Sequence, residues 1–93
     1  LRLRKSNMAG YYIDVPKSTQ KSLVKIPLPW SFRIKQTIDR LEHEPYLGDK
    51  MQGKCSDRRK IRVWPYRIIY LVREDAKIIR IMEVKHRGNT SYD

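Results

Sequence analysis

The C-terminal half of the chain contains three β-rich segments, and the turns between them are too short to hold a helix. The segments are Arg59–Trp64, Tyr66–Val72 and Lys77–Val84. The first alternates basic and aliphatic side chains, and the other two are rich in β-branched residues, as strands usually are. Parallel neighbours need a crossover of a dozen or more residues, so consecutive segments here are expected to pair antiparallel. The sequence therefore predicts a three-stranded meander.

The N-terminal part predicts one further strand and a first helix. Aromatic and β-branched residues in Tyr11–Val15 indicate a strand, which Pro16 ends because its ring removes a hydrogen-bond donor. Lys17–Lys25 then fits a short helix.

A second helix is indicated by a run of apolar residues at helical spacing. Pro29 is suited to its first turn, where the missing N–H is harmless, and Pro45 stops it. The apolar residues fall on one stripe, which we expect to lie on the sheet; they are Trp30, Ile34, Ile38 and Leu41.

These elements together predict an α+β fold in the order β-α-α-β-β-β. The two helices form a hairpin on one face of a twisted, mostly antiparallel four-stranded sheet, and the other face is left open. Tyr46–Asp57, with two glycines, is expected to be a loop. We expect residues 1–10 to be an N-terminal extension outside the fold, and residues 11–93 to form a single domain.

The charge of the chain points to an acidic partner. Its net charge is +11, and residues 50–93 hold twelve basic residues against five acidic ones. Because 40% of the residues are hydrophobic, a disordered basic tail is disfavoured. A solvated basic face that only maintains solubility is the alternative interpretation.

Several function classes are excluded by what the sequence lacks. One cysteine, Cys55, and two histidines cannot make a structural zinc site, and the scattered carboxylates do not suggest a two-metal nuclease. We therefore expect no metal and no cofactor. The sequence has no apolar run of membrane-spanning length and no signal peptide at its start, so we expect a cytoplasmic protein with no membrane partner.

Basic and aromatic side chains of the meander are the candidate site. Lys60 and Arg62 share one face of a strand, Arg67 begins the next strand, and Arg87 follows the last one. Guanidinium and ammonium groups suit phosphate, and nearby aromatic rings suit unpaired RNA bases; those rings are Trp64, Tyr66 and Tyr92. His86 is either a proton carrier or a surface residue. His43, between two glutamates at a helix end, and Cys55 are assigned no chemistry.

The run Lys60-Ile-Arg-Val-Trp-Pro-Tyr-Arg-Ile-Ile-Tyr70, followed by Val84-Lys-His-Arg87, resembles the RelE/ParE superfamily of bacterial toxins. The resemblance extends from about Tyr11 to Tyr92 and includes the element order and the loop between Gly48 and Gly53. It implies a toxin of a type II toxin–antitoxin system. RelE-like members cleave mRNA in the ribosomal A site, ParE-like members inhibit DNA gyrase, and a cognate antitoxin silences the toxin.

The resemblance also implies roles for individual residues. It assigns catalysis to Lys60, Arg67, Arg87 and Tyr92, and His86, where the family varies, could assist in proton transfer. Our RNA-binding set is Lys50, Lys54, Arg59, Arg62 and Trp64, chosen for their charge or their aromatic ring. Arg62 departs from the lysine expected there and is assigned to phosphate binding, because arginine stays protonated.

We therefore predict a metal-free endoribonuclease, which uses the 2′-hydroxyl of the RNA as its nucleophile. The alternatives are a ParE-like gyrase inhibitor and an inactive relic that only binds its antitoxin. The antitoxin is expected to be acidic or amphipathic, to lie beside the helices or over the basic face, and to form a hetero-oligomer with the toxin.

Overall fold

A computed structural model describes residues 10–53 and 57–87 of the chain and contains two helices and five strands. In chain order these are β1 Tyr12–Asp14, α1 Lys17–Val24, α2 Trp30–Leu41, β2 Asp49–Lys50, β3 Arg58–Val63, β4 Tyr66–Arg73 and β5 Ile78–His86.

The five strands form one mixed sheet in the order β1-β5-β4-β3-β2. The predicted meander is confirmed, because β3, β4 and β5 pair antiparallel in sequence, and β1 joins β5 in parallel. The α+β class and the helical hairpin are also confirmed. The sheet has one strand more than the sequence predicts: β2 lies inside the predicted loop Tyr46–Asp57 and pairs with β3. A strand of two residues is too short to show a period-two pattern.

The strand ends differ from the prediction at the turns. Trp64 belongs to the turn between β3 and β4 rather than to β3. Lys77 has a positive φ of 57° and closes the turn before β5, so β5 starts one residue later than predicted. At its other end β5 continues to His86, two residues beyond Val84.

The helices cover one face of the sheet, and the hydrophobic core lies between the helices and the sheet. Ile34, Ile38 and Leu41 of α2 are buried as the stripe predicts, whereas Trp30 at the start of the helix is half-buried. Their partners come from the strands; the buried ones are Ile13, Ile68, Tyr70, Ile79 and Ile81. This side is the helix face, and the side away from the helices is the open face.

The register shows which strand residues point to each face. Tyr70 is buried in the core, and side chains alternate along a strand, so Tyr66 and Ile68 share the helix face while Arg67 and Ile69 lie on the open face. Between Ile69 and Tyr70 the partner in β5 changes from Glu83 to Ile81. This register shift leaves Met82 without an opposite residue and keeps Ile81 in the core.

Tyr70 also fixes the segment that leads into β2. Its hydroxyl donates a hydrogen bond to the Pro45 carbonyl at 2.9 Å and accepts one from the Gly48 N–H at 2.9 Å. Burial raises the pKa of the Tyr70 phenol, so the group stays protonated near neutral pH and keeps its role as a donor. A Cβ atom at Gly48 would lie 2.6 Å from the Lys60 carbonyl oxygen, so the close approach of this segment to β3 requires glycine.

Candidate functional site

Three cations lie side by side across the open face, one on each of the three central strands. Arg62 of β3 is opposite Arg67 of β4, and Arg67 is opposite Lys85 of β5. Directly opposite residues in an antiparallel pair have Cβ atoms about 4.5–5.5 Å apart. Lys60 is on the same face, one step along β3 from Arg62. We call these residues, together with Arg87, the basic corner.

A pocket opens at the end of the basic corner next to the turn between β3 and β4. It has a volume of about 260 Å³, and three of its lining residues are arginines: Arg62, Arg67 and Arg87. The rest of its wall is formed by Trp64, Pro65 and Tyr66. Guanidinium groups beside aromatic rings are suited to a phosphate and its attached base.

Arg87 reaches this pocket because the β3–β4 turn holds it. Its backbone N–H donates to the Pro65 carbonyl at 2.8 Å, and its guanidinium carbon lies 4.8 Å from the centre of the Trp64 ring. Trp64 is 63% exposed, so the ring also presents a surface to solvent. The turn therefore orients the arginine that follows the last strand.

Lys60 lies next to an apolar part of the open face. It is opposite Ile69, which in turn is opposite Glu83. Ile69 is only 7% exposed, although neither of the two described helices packs on this face. Lys60 of the basic corner therefore lies beside a buried aliphatic side chain.

His86 is separated from the arginines by the sheet. It is opposite Tyr66 and therefore on the helix face, where the two rings meet edge to face with their centres 5.0 Å apart. It lines a polar cleft of about 950 Å³ between α1 and β5. The sequence groups His86 with Arg87 because they are neighbours in the chain, but adjacent strand residues point to opposite faces.

Two of the predicted RNA-binding residues, Arg59 and Lys50, lie away from the turn between β3 and β4. Arg59 points to the helix face, where its guanidinium carbon is 4.9 Å from the centre of the Tyr46 ring and its Nη1 donates to the Gly48 carbonyl at 2.9 Å. Lys50 is opposite Arg59 and exposed. Lys54 and Tyr92 lie outside the described residues.

Two features of the surface were not predicted from the sequence. One is Lys85, whose place next to Arg67 depends on the register of β4 and β5. The other is a mostly apolar groove of about 510 Å³ between α1 and α2, which we call the helix groove. Its rim carries Val24, Leu28 and Phe32, which are 84%, 73% and 57% exposed. Exposed apolar side chains grouped in this way mark an interaction surface.

Residues 10–53 and 57–87 contain no group of three or more metal-binding side chains. Neither of their helices is long and apolar enough to cross a membrane.

The comparisons with known proteins agree on one superfamily. Residues 17–90 match the family described as ParE toxin of type II toxin–antitoxin system. A search of curated proteins gives no match.

Several solved structures that resemble the chain are RelE toxins or their complexes with RelB. The archaeal RelE–RelB complex from Pyrococcus horikoshii is 30% identical, with a TM-score of 0.73 over 87% of this chain and 99% of that one. The toxin–antitoxin complex RelBE2 from Mycobacterium tuberculosis is 20% identical, with a TM-score of 0.78 over 85% and 100%. The isolated RelE toxin from E. coli is 18% identical, with a TM-score of 0.76 over 90% of both chains.

Proposed function

The chain belongs to the RelE/ParE superfamily of type II toxin–antitoxin toxins, and from this premise we propose that it is a ribosome-dependent endoribonuclease that uses the basic corner. The observation that carries the proposal is the pocket in which Arg62, Arg67 and Arg87 meet beside Trp64. Three guanidinium groups repel one another in the absence of an anion, and a phosphodiester satisfies all of them.

The reaction that fits this site is an attack by the RNA on itself. The 2′-oxygen forms a bond to the adjacent phosphorus, the bond from phosphorus to the 5′-oxygen breaks, and the products are a 2′,3′-cyclic phosphate and a 5′-hydroxyl. The proton of the 2′-hydroxyl leaves to a base, and the 5′-oxygen takes up a proton. We assign Lys60 to activation of the 2′-hydroxyl, because Lys60 lies on the open face two residues along β3 from Arg62 of the pocket.

The arginines stabilise the charge that develops on the phosphate. Arg67 approaches the pocket from β4 and Arg87 from just beyond the end of β5, and Arg62 completes the binding of the oxygens. Removing one donor of this kind typically costs about 10²–10³ in rate. His86 acts indirectly in this proposal, through its ring contact with Tyr66 in the pocket wall. Tyr92 remains a predicted stacking residue.

A cell-free translation extract tests the proposal. Added toxin should stop protein synthesis and leave mRNA with new 5′ ends inside the codon that occupies the A site. The same toxin added to mRNA without ribosomes should cut it far more slowly, because the ribosome aligns the backbone for in-line attack. Translation that continues at full rate, with intact mRNA, would refute the nuclease assignment.

The family match supports gyrase inhibition as a second candidate, because the matching family is the ParE toxin. A gyrase inhibitor does not need an RNA-cleaving site, and its effect is read in a supercoiling assay with purified gyrase. Loss of supercoiling with translation unaffected would select this candidate. Loss of translation with supercoiling unaffected would reject it.

We also propose that an antitoxin docks in the helix groove. The resembling structures include complexes of RelE with RelB, and an apolar groove between two helices fits the apolar side of an amphipathic helix. The strongly basic surface of the toxin favours a partner with acidic residues around that apolar side. Co-expression with the protein from the adjacent reading frame should give a stable complex, and a toxin recovered alone would contradict this assignment.

A further inference from the structure

We propose that Lys85 is a catalytic residue that binds the scissile phosphate from the β5 side, and that Glu83 positions its ammonium group. This inference rests on the proposed ribonuclease function and adds to it two residues that neither the sequence nor the family match assigns.

The register makes Lys85 part of an unfavourable row of like charges. Arg67 has Arg62 opposite it on one side and Lys85 opposite it on the other, so three cations lie across three neighbouring strands. Like charges directly opposite in a sheet are destabilising. An anion above Arg67 removes this cost, because strands about 4.8 Å apart let the flanking side chains reach the same group.

Glu83 gives Lys85 a defined direction on the open face. The Glu83 Oε1 and the Lys85 Nζ are 3.5 Å apart, and alternation along β5 places both on this face, where they also border the cleft between α1 and β5. The side chains are 41% and 29% exposed, so the ammonium is held beside the sheet and is still open to solvent. A lysine has four rotatable side-chain bonds, and a carboxylate partner reduces the entropy lost when it binds phosphate.

A second ion pair on the same strand and face joins two strands of the sheet and serves as a comparison. Arg80 Nε lies 2.8 Å from Asp14 Oδ2 and links β5 to β1. Arg80 is opposite Leu71, not opposite another cation. No cation lies directly opposite Arg80 on β4, and its guanidinium is already paired with Asp14, so Arg80 provides a control for Lys85.

The test compares single-turnover cleavage of A-site mRNA by the wild type, Lys85→Met, Lys85→Arg and the control Arg80→Met. Loss of one charge-assisted hydrogen bond corresponds to about a 10- to 100-fold lower kcat/KM. We expect this reduction in the kcat/KM of the Lys85→Met variant. Lys85→Arg should stay within about threefold of the wild type, since the charge is kept. Arg80→Met should cleave at the wild-type rate. Equal losses in Lys85→Met and Arg80→Met would overturn the proposal, as would a Lys85→Arg variant as poor as Lys85→Met.

The role of Glu83 is tested by combining substitutions. If Glu83 acts only through Lys85, Glu83→Gln should reduce cleavage in the wild type and should have no effect in the Lys85→Met background. Losses that multiply in the double variant would show that Glu83 acts independently and would refute the positioning role.

Binding of single-stranded RNA to the isolated toxin separates this inference from the nuclease function. Each phosphate contact by a cation changes the slope of log affinity against log salt by about 0.7 for single strands. Lys85→Met should lower the slope by about this amount and Arg80→Met should leave it unchanged. If Lys85→Met lowers the slope but the wild type never cleaves mRNA, the nuclease proposal fails while phosphate binding by Lys85 stands. An unchanged slope in Lys85→Met would overturn the phosphate contact itself.

Discussion

The basic corner consists of charged side chains on the open face, whereas the helix groove consists mainly of apolar side chains on the other side of the sheet. The corner gathers cations from three strands on the open face. The groove exposes Val24, Leu28 and Phe32 between two helices, on the side of the molecule that also holds the core. The described residues thus present one surface suited to a polyanion and another suited to an apolar partner.

Because of this difference, binding at the two surfaces should respond differently to salt concentration. Binding at the basic corner depends on counterion release and therefore on salt concentration. Binding in the helix groove depends mainly on the apolar area removed from water and should therefore be less sensitive to salt than binding at the basic corner. A change confined to one surface should leave the function of the other intact.

The largest effect is expected for Arg67→Ala and Arg87→Ala. Each removes a guanidinium from the pocket, so A-site cleavage should fall by about 10²–10³ or more. The antitoxin should still bind with wild-type affinity. Arg73→Ala is the matched control, because Arg73 is on the same strand and face as Arg67 but at its far end, where it pairs with Asp75 at 3.5 Å. Retained cleavage in both pocket variants, with the melting temperature unchanged, would refute their assignment.

Phe32→Asp should produce the next largest effect, this time on the other surface. A buried apolar anchor at an interface is commonly worth about 2 kcal/mol, so antitoxin affinity should fall about 30-fold in calorimetry. The change adds a charge at an exposed position and should leave mRNA cleavage unaffected. Gln36→Asp adds the same charge to α2 outside the groove and should bind antitoxin normally. If both variants bind equally well, the groove is not the docking surface.

Salt should separate the two surfaces in the wild-type protein. With about three phosphate contacts, RNA affinity should fall about 20-fold between roughly 50 mM and 200 mM salt. The affinity of the Phe32-dependent contact should change much less over the same range. RNA binding that is insensitive to salt would contradict the charge-based account of the corner.

The smallest effect is expected at Trp64. An exposed cation–π contact is worth about 0.5–1 kcal/mol, so Trp64→Ala should lower kcat/KM about three- to fivefold through a less ordered Arg87. Trp64→Phe should keep most of the activity. In an Arg87→Ala background Trp64→Ala should add little, and a full additional loss there would mean that the ring binds RNA directly.

The sequence predicted the meander and the helical hairpin because both depend on local patterns. The short turns around Pro65 and Glu74 forced antiparallel pairing, and the stripe of α2 set its buried side. Strand β2 was not predicted because two exposed residues are too few to show the alternation of apolar and polar side chains that marks a strand. It is held in place by Tyr70, more than twenty residues away in the chain.

The candidate site was predicted in part, and the errors have identifiable causes. Lys60, Arg62 and Arg67 share a face because of strand alternation and register. The same alternation places Arg59 and His86 on the helix face, so it argues against grouping them with their neighbours. Lys85 could be placed only after the register was known, and that register includes a shift at Met82. The helix groove was missed because the sequence cannot show which apolar residues remain uncovered after packing.

A single 2′-deoxy substitution in the A-site codon shows whether the RNA supplies its own nucleophile. The substituted mRNA lacks the nucleophile at one position but keeps its phosphate, its base and its place on the ribosome. If the toxin cleaves by letting the RNA attack its own backbone, the cut at that position disappears, while the unmodified mRNA yields a cyclic phosphate. Cleavage that continues at the deoxynucleotide would contradict the account, because it would require water as the nucleophile.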